Sequence, residues 1–285
     1  MINRNLIFIL FFFGYIPTFQ SCIENKHNVP LASKEYDLNN PSILILNDAL
    51  MEISGIYFYP KDSSVFAISD ERRYLFKIHL KNNLTQKWKL SKPLDFEDVA
   101  MRDSSFYVLE SNGTIHTLNF SSAGDTIYAK KSDLSDKEDN EFESLYYDDQ
   151  FKKLVMICKE CEEDKKNTTT AWGYDPETRK YTPSLFTIKV ESIAKKIGEN
   201  KIKFRPSAAT INPLTGDLWI VSALNQLIVV TDRKGNFKEV FTLNPATFTQ
   251  PEGIAFTPWG ALIISDEAGD KYGKGRLLIF KQKKS

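Results

Sequence analysis

The sequence predicts an all-β fold, a five-bladed β-propeller, from three observations. One pattern of two short apolar segments recurs five times, and each repeat has the length and the polar turns of a four-stranded sheet. The last repeat lacks one strand, which the segment before the first repeat can supply. With 285 residues, of which 42% are hydrophobic, the chain is long enough for one large domain with a substantial core.

The five copies of the pattern align along most of the chain. In one-letter code they are EISGIYF with VFAISDE, DFEDVAM with SFYVLES, EFESLYY with KLVMICKE, RPSAATI with DLWIVSA, and QPEGIAF with ALIISDE. The third positions of successive copies lie 43, 46, 64 and 45 residues apart, and they are Ser54, Glu97, Glu143, Ser207 and Glu252. A period of roughly 40 to 50 residues is typical of propeller blades.

Each copy predicts a blade of antiparallel strands separated by turn-forming residues. In the first copy the strands are Ile53 to Tyr59, Val65 to Ser69, Tyr74 to His79 and Thr85 to Leu90. A β-sandwich with irregular strand pairs is the competing fold, and it leaves the aligned repeats unexplained. The repeats therefore favour the propeller.

The ends of the chain and the one long interval complete the prediction. The fifth copy ends after its third strand, Arg276 to Phe280, so we expect Ser42 to Leu46 to close the last blade and leave no free edge. The long interval accommodates two insertions in the third blade, a polar loop at Glu160 to Thr170 and one small amphipathic helix within Val190 to Asn200.

The N-terminus predicts export. Arg4 precedes an apolar run from Leu6 to Ile16, which is about half the length that spans a bilayer, so residues 1–21 are interpreted as a signal peptide. The sequence FQSC, ending at Cys22, resembles a bacterial lipobox, and its cysteine would be acylated; ordinary cleavage near Ser21 is the alternative. We expect a lipoprotein of the bacterial cell envelope, with a solvated, lipidated tether at 22–40 and the propeller domain at 41–285.

The repeats resemble the SdiA-regulated family, whose members carry E-L-S-G, E-G-[IL]-A and [VI]-S-D-E elements on signal-bearing or membrane-anchored chains. The matching residues are EISG from Glu52, ISDE at Asp70, PEG at Glu252 and ISDE at Asp266. The resemblance implies a five-bladed propeller related to NHL-type propellers, with a calcium site and no well-established enzymatic activity. The fourth repeat departs from these elements at Ser207 and Ala223.

The repeated acids predict a metal site on the propeller axis. Glu97, Glu143 and Glu252 share one register of the strand that lines the channel, while Glu52, Asp95 and Glu141 precede such positions by two and share their side. Unit charges 6 Å apart repel by roughly 3 kcal/mol at an effective dielectric near 20, which a bound cation relieves. Oxygen ligands without His or Cys favour calcium.

Alternatives remain open at several of these residues. The axial acids have a structural interpretation, in which they only accept hydrogen bonds from neighbouring blade turns. Asp70 and Asp266, at the ends of second strands, are either further metal ligands or solvated loop acids. Cys158 and Cys161 predict a local disulfide or two unpaired thiols, since two sulfurs alone do not make a zinc site.

Two functional hypotheses follow. The first is a binding module, in which calcium rigidifies the channel and one face holds a small molecule or an envelope protein. The alternative is a calcium-dependent hydrolase of lactone or phosphoester substrates, with the metal as Lewis acid and a glutamate as general base. Lys plus Arg equal Asp plus Glu at 37 each, so the charge balance gives no support to a nucleic-acid partner.

Overall fold

The computed structural model describes residues 32–69, 72–90, 95–120, 126–134, 140–162, 164, 167–269 and 273–283. The predicted signal peptide, the acylation site Cys22 and the candidate ligand Asp70 lie outside these residues. Within them, the helices are all too short or too polar to traverse a bilayer.

The described residues form twenty β-strands, one α-helix and one short 3-10 helix. The strands of the first two blades are β2 (Ile53–Tyr59), β3 (Ser64–Ser69), β4 (Tyr74–His79), β5 (Thr85–Leu90), β6 (Phe96–Arg102), β7 (Ser105–Glu110), β8 (Ile115–Phe120) and β9 (Thr126–Ser132). Blade three contains β10 (Glu141–Asp148), β11 (Lys153–Glu160), β12 (Thr168–Tyr174) and β13 (Tyr181–Lys189), and α1 (Val190–Lys196) follows it. The last two blades contain β14 (Ala208–Ile211), β15 (Leu218–Ser222), β16 (Leu227–Thr231), β17 (Phe237–Thr242), β18 (Pro251–Phe256), β19 (Leu262–Asp266), β20 (Arg276–Phe280) and β1 (Ser42–Ile45), and the 3-10 helix is Asp48–Leu50.

The blades close into a ring, which confirms the five-bladed propeller. The first strand of each blade contacts the first strands of both neighbouring blades, in the order β2, β6, β10, β14, β18 and back to β2. Within a blade each strand pairs antiparallel with the next, so the chain moves outward from the central channel. The outermost strands of blades one and two, β5 and β9, also pair in parallel through Lys89 and Thr126.

The predicted closure and the predicted helix are both confirmed. Strand β1 pairs antiparallel with β20, with Ser42 opposite Ile279 and Ile45 opposite Arg276, so the N-terminal segment supplies the fourth strand of blade five. Without β1, strand β20 would expose a row of unpaired backbone groups. The helix α1 follows β13 and buries Val190 and Ile193 against blades three and four.

The hydrophobic core consists of layers between adjacent blades. The second strand of every blade has buried residues on both faces, because each sheet is covered by a neighbour on either side. The layer between blades four and five contains Trp219, Val230, Phe256, Ile264 and Phe280. These layers hold the first strands in fixed positions around the axis, and so they also position the side chains that line the channel.

The expected solvated tether needs a correction at its C-terminal end. Tyr36 and Leu38 are only 1% and 6% exposed and belong to the core layer of blades four and five. The Tyr36 hydroxyl donates to the carbonyl of Gly260 at 2.8 Å, and its ring meets Trp219 edge-on at 5.5 Å. The packed domain therefore begins before residue 41.

Candidate functional site

The register predicted from the repeats places five equivalent residues in one cavity on the propeller axis. Ser54, Glu97, Glu143, Ser207 and Glu252, one from each blade, all line a cavity of about 230 Å³. Glu141, Lys159 and Glu267 complete its wall. The three glutamates that the sequence singled out are thus brought together, and we call this space the axial cavity.

The three axial glutamates are placed by β-bulges. Pairing between the first and second strands skips one residue in blades two, three and five, and the skipped residues are Glu97, Glu143 and Glu252. A bulge leaves one residue out of the ladder and redirects its side chain. The bulges therefore turn the glutamates out of the sheet and toward the axis, where regular alternation would send side chains to the faces of the blade.

The residue after the bulge in blade two, Asp98, joins neighbouring blades. Asp98 is buried, and its carboxylate accepts the N–H of Val99 at 2.8 Å and the N–H of Leu145, in the next blade, at 2.6 Å. A Cβ on Gly55, the equivalent residue of blade one, would overlap both the carboxylate and the backbone of Asp98. Glycine at 55 thus allows blades one and two to approach closely, and the approach fixes the floor of the axial cavity.

The axial carboxylates are shifted toward their protonated forms. Removal from solvent, followed by the nearby carboxylates of Glu143 and Asp95, raises the pKa of Glu97 to about 9. Burial raises the pKa of Glu252 well above its ordinary value, and the charges of Glu143 and Glu267 add to the shift. Burial and the neighbouring negative charges both oppose ionisation of these glutamates, so the cavity favours the binding of a proton or a metal cation.

Lys159 is the functional residue that the sequence analysis missed. It lies in β11, lines the axial cavity, and donates to Glu141 at 2.7 Å and to Glu143. Burial opposes its charge, but its two glutamate partners outweigh burial and raise its pKa. At the equivalent place, blades one and five carry the S-D-E element, and the lysine replaces an acid of that pattern.

The donor set fits calcium in its chemistry, although the carboxylates stand apart. Glu97, Glu143 and Glu252 offer oxygens only, with the Ser54 and Ser207 hydroxyls beside them, and calcium takes six to eight oxygen ligands. Among the described residues, only Cys158, Cys161 and Asp164 bring three ligand atoms within 4.8 Å of one another. A calcium ion at about 2.4 Å from each oxygen therefore requires the long glutamate side chains to close around it.

The remaining predicted ligands lie elsewhere. Glu52 precedes β2, is half-buried, and is not among the residues that line the axial cavity. Asp266 is fully buried, pairs with Arg276 and accepts the N–H groups of Thr249 and Gln250, so it is neither a solvated loop acid nor part of the cavity wall. The ion pair supports the loop that leads into β18 and thereby positions Glu252.

The cysteines and histidines of the described residues do not line the axial cavity. Cys158 and Cys161, three positions apart in the sequence, form a disulfide. Of the two alternatives that the sequence left open, a local disulfide and two unpaired thiols, the structure shows the disulfide. His116 is buried in β8 and pairs with Glu110, and His79 contacts the Ser64 hydroxyl at 3.0 Å. Neither imidazole lines the axial cavity.

A second cavity of about 330 Å³ opens beside the axial one, on the side of blade four. It shares Glu143, Lys159, Ser207 and Glu252 with the axial cavity and adds Arg205 and Leu224. Blade four departs from the repeated acidic pattern here, and its Ala223 leaves room. We call this space the side cavity, and it combines acidic, basic and apolar groups.

Three solved proteins from bacteria are similar in structure to this chain. Glutaminyl cyclase of Myxococcus xanthus aligns at 13% identity with a TM-score of 0.58, over 85% of this chain and 96% of that one. A gluconolactonase of Xanthomonas campestris aligns at 10% identity and 0.54, over 90% and 97% of the chains. The calcium-binding protein regucalcin of Agrobacterium tumefaciens aligns at 13% and 0.51, over 89% and 98%. At such identities the likeness shows the fold alone.

The family comparison gives a closer relationship. No curated protein sequence matches the chain. The model of the SdiA-regulated family matches residues 31–271, which is more than half of the chain. The match therefore includes Tyr36 and Leu38, which pack against blades four and five. The repeat motifs, the five closed blades and this match agree, and the chain belongs to the SdiA-regulated family.

Proposed function

We propose that the protein is a calcium-binding propeller of the bacterial cell envelope and acts as a binding module. One observation carries the proposal: three glutamates from three blades, each turned inward by a bulge, line a single axial cavity. Their mutual repulsion and their removal from solvent oppose ionisation, and a divalent cation reverses both effects. The ion would join blades two, three and five at their centre.

The side cavity is the proposed ligand site. A ligand seated there contacts the axial cation on one side, because the two cavities share Glu143 and Glu252. On the other side it meets the guanidinium of Arg205 and the exposed side chain of Leu224. These groups suit a small molecule, or a side chain of an envelope protein, that carries anionic oxygens next to an apolar portion.

Metal analysis and thermal unfolding test the proposal. Protein purified without denaturants should contain about one calcium per chain, and calcium should raise the melting temperature while a chelator lowers it. A ligand that binds only the folded state stabilises it by about 2.7 kcal/mol at a hundredfold excess over Kd. Magnesium at the same concentration should stabilise less, because it prefers rigid octahedral geometry. Equal stabilisation by the two ions would contradict the calcium assignment.

The envelope location rests on Cys22, which follows the short apolar segment. Substitution of Cys22→Ser should release the protein from the membrane fraction and abolish uptake of labelled fatty acid. Retention of the variant in membranes, together with unlabelled wild-type protein, would show that Cys22 is not acylated.

A hydrolase is the second candidate, and the position of Glu97 favours it. With calcium bound, the Glu97 carboxylate would be ionised, and as a general base it would accept a proton from an attacking water. Calcium held by neighbouring carboxylates would polarise a lactone or phosphoester oxygen. A panel of such substrates, assayed with wild-type protein and Glu97→Gln, separates the two functions. Turnover that requires calcium and is lost in the variant selects the hydrolase.

A further inference from the structure

Exposed apolar side chains collect on the propeller face opposite the axial glutamates. Strands in a blade alternate in direction, so the turns between the first and second strands of the five blades lie at one end of the propeller. We call this end the turn face. Among the described residues, seven large apolar side chains are exposed, and two of them, Leu214 and Trp259, lie in the turns of this face.

The axis is apolar at the turn face. A cavity of about 340 Å³ is lined by the C-terminal halves of the first strands and by the turns that follow them. Its wall includes Tyr57, Met101 and Phe256, and Pro60, Pro213 and Pro258 come from the turns of blades one, four and five. The channel therefore has an acidic end and an apolar end, and Pro213 and Pro258 in the apolar wall directly precede the exposed residues Leu214 and Trp259.

The N-terminal segment reaches the propeller at the same place. Tyr36 bonds to the carbonyl of Gly260, Leu214 lies directly against Gly260, and Trp259 precedes it in the chain. The indole of Trp259 is 60% exposed and is held edge-on against Phe58 at 5.5 Å between ring centroids. The chain that leads back to Cys22 thus starts beside the two most axial apolar groups of the turn face.

The length of that chain limits where the propeller can be. Eleven Cα-to-Cα steps separate Cys22 from Ser33, which is buried at the start of the packed segment. Fully extended, they span at most about 40 Å. An acyl group on Cys22 therefore keeps the turn face within about 40 Å of the bilayer.

We propose that the turn face rests on the lipid bilayer, with Trp259 and Leu214 in the interfacial region and the axial glutamates directed away from it. Tryptophan favours the membrane interface because its ring is apolar and its N–H is polar. The exposed side chains of Lys61 and Lys281 belong to the same face, and their ammonium groups can contact anionic headgroups. The proposal rests on the lipid anchor proposed above, and it gives the ligand site free access from the side opposite the membrane.

Vesicle binding of the unacylated protein tests this orientation separately from the anchor. The Cys22→Ser chain is mixed with vesicles of phosphatidylethanolamine and phosphatidylglycerol in which part of the lipid is brominated. Trp259 should be quenched by the brominated chains, and the quenched fraction should disappear in Trp259→Phe. Leu214→Glu combined with Trp259→Glu should lower the bound fraction about tenfold. Leu224→Glu, on the opposite face and equally exposed at 51%, should bind like the parent.

Three outcomes overturn the proposal. The first is absence of quenching, and the second is an equal loss of vesicle binding in the turn-face and Leu224 variants. The third is a protein that does not bind vesicles but self-associates, and whose self-association is abolished by the turn-face substitutions. Fatty-acid labelling of wild-type Cys22 reports on the anchor alone, and calcium titration of the double variant reports on the axial site alone. A labelled, calcium-binding protein without quenching would therefore refute the orientation and leave the proposed function standing.

Discussion

The ammonium of Lys159 is bound by Glu143, one of the three glutamates that converge on the propeller axis. Lys159 also donates to Glu141 at 2.7 Å, and among the residues that line the axial cavity it is the one cation. It therefore neutralises part of the charge that a metal ion would neutralise. A divalent cation and Lys159 compete for Glu143.

Lys159→Met is expected to have opposite effects on folding and on calcium binding. Without calcium, the variant should melt at a lower temperature, because Glu141 and Glu143 lose their counter-ion in a partly buried site. Calcium should bind about tenfold or more tightly, since a competing positive charge is gone. Calorimetric titration and thermal unfolding measure the two effects.

A matched control is Lys203→Met. Lys203 pairs with Glu160 at 2.5 Å, but its side chain is 59% exposed and the pair lies outside the axial cavity. Calcium affinity should stay within about twofold of wild type, because exposed ion pairs are screened by solvent. If both lysine variants gain affinity equally, the effect is one of net charge and not of competition at Glu143.

The pKa of Glu97 predicts how stability changes with pH. The pKa of Glu97 is about 9 in the folded protein, so the carboxyl group keeps its proton up to about that pH, whereas the unfolded chain loses it near the ordinary glutamate pKa of 4.5. The folded state therefore binds more protons across this window, and this group's contribution to the free energy of unfolding falls as the pH rises from about 5 to 9. Saturating calcium should flatten the dependence, because it replaces the proton.

Denaturant titrations at several pH values, with chelator or with calcium, measure this dependence. Glu97→Gln is the control variant, because it cannot ionise and should show a smaller loss with pH. A wild-type protein whose stability in chelator rises between pH 5 and 9, with Glu97→Gln behaving the same, would refute the assignment to Glu97.

The sequence predicted the ring of axial positions because blade geometry repeats. Once five copies align, residues at one place in the copy must lie at one height on the axis, and the structure puts Ser54, Glu97, Glu143, Ser207 and Glu252 in one cavity. Repetition also identified the missing strand, and Ser42–Ile45 fills it. These predictions needed only the chain order and the closure of the ring.

Asp98 provides a test of how blades two and three are joined. Asp98→Asn keeps the volume of the side chain but directs an NH₂ group at either the Val99 or the Leu145 N–H, so one buried donor loses its acceptor. We expect a loss of about 1–3 kcal/mol in the free energy of unfolding. Asp103→Asn, in an exposed turn, should change it by less than about 0.5 kcal/mol.

The prediction for Asp98 fails if the two asparagine variants unfold at the same denaturant concentration. Calcium affinity gives a second readout. Because Asp98 follows the bulge at Glu97, its loss should weaken calcium binding as well as folding. If the variant loses stability but keeps its calcium affinity, Asp98 supports the junction of the blades and not the cation site.

Tyr36 tests the packing of the N-terminal segment. Tyr36→Ala should cost about 3–5 kcal/mol, as is usual for removal of a buried aromatic ring, while Tyr36→Phe should cost about 1 kcal/mol for the bond to Gly260. Chemical denaturation of both variants measures the costs. Truncation tests the same packing. Removal of residues 23–32 should leave the free energy of unfolding unchanged, whereas removal of residues 23–40 should lower it. Equal stability of the two truncations would contradict the packing.

Features formed by contacts outside the repeat were not predictable. Tyr36 and Leu38 stand in a polar stretch without periodicity, and only the gap between blades four and five shows why they are buried. Lys159 occupies a place where other blades carry acids, so the repeat pattern pointed away from it. Asp266 matched a repeated acidic element, but its partner Arg276 belongs to the next strand, and the pairing appears only in the folded blade.

Calcium titration by calorimetry tests the central claim most directly. At pH 7, in two buffers with different ionisation enthalpies, wild-type protein should bind one calcium and release protons, because Glu97 and Glu252 have raised pKa values. Glu252→Gln should bind about tenfold or more weakly, and Glu239→Gln, on the exposed face of the outer strand β17, should match wild type. Absence of binding at millimolar calcium, or equal affinity of the two glutamine variants, would show that the axial glutamates hold no calcium.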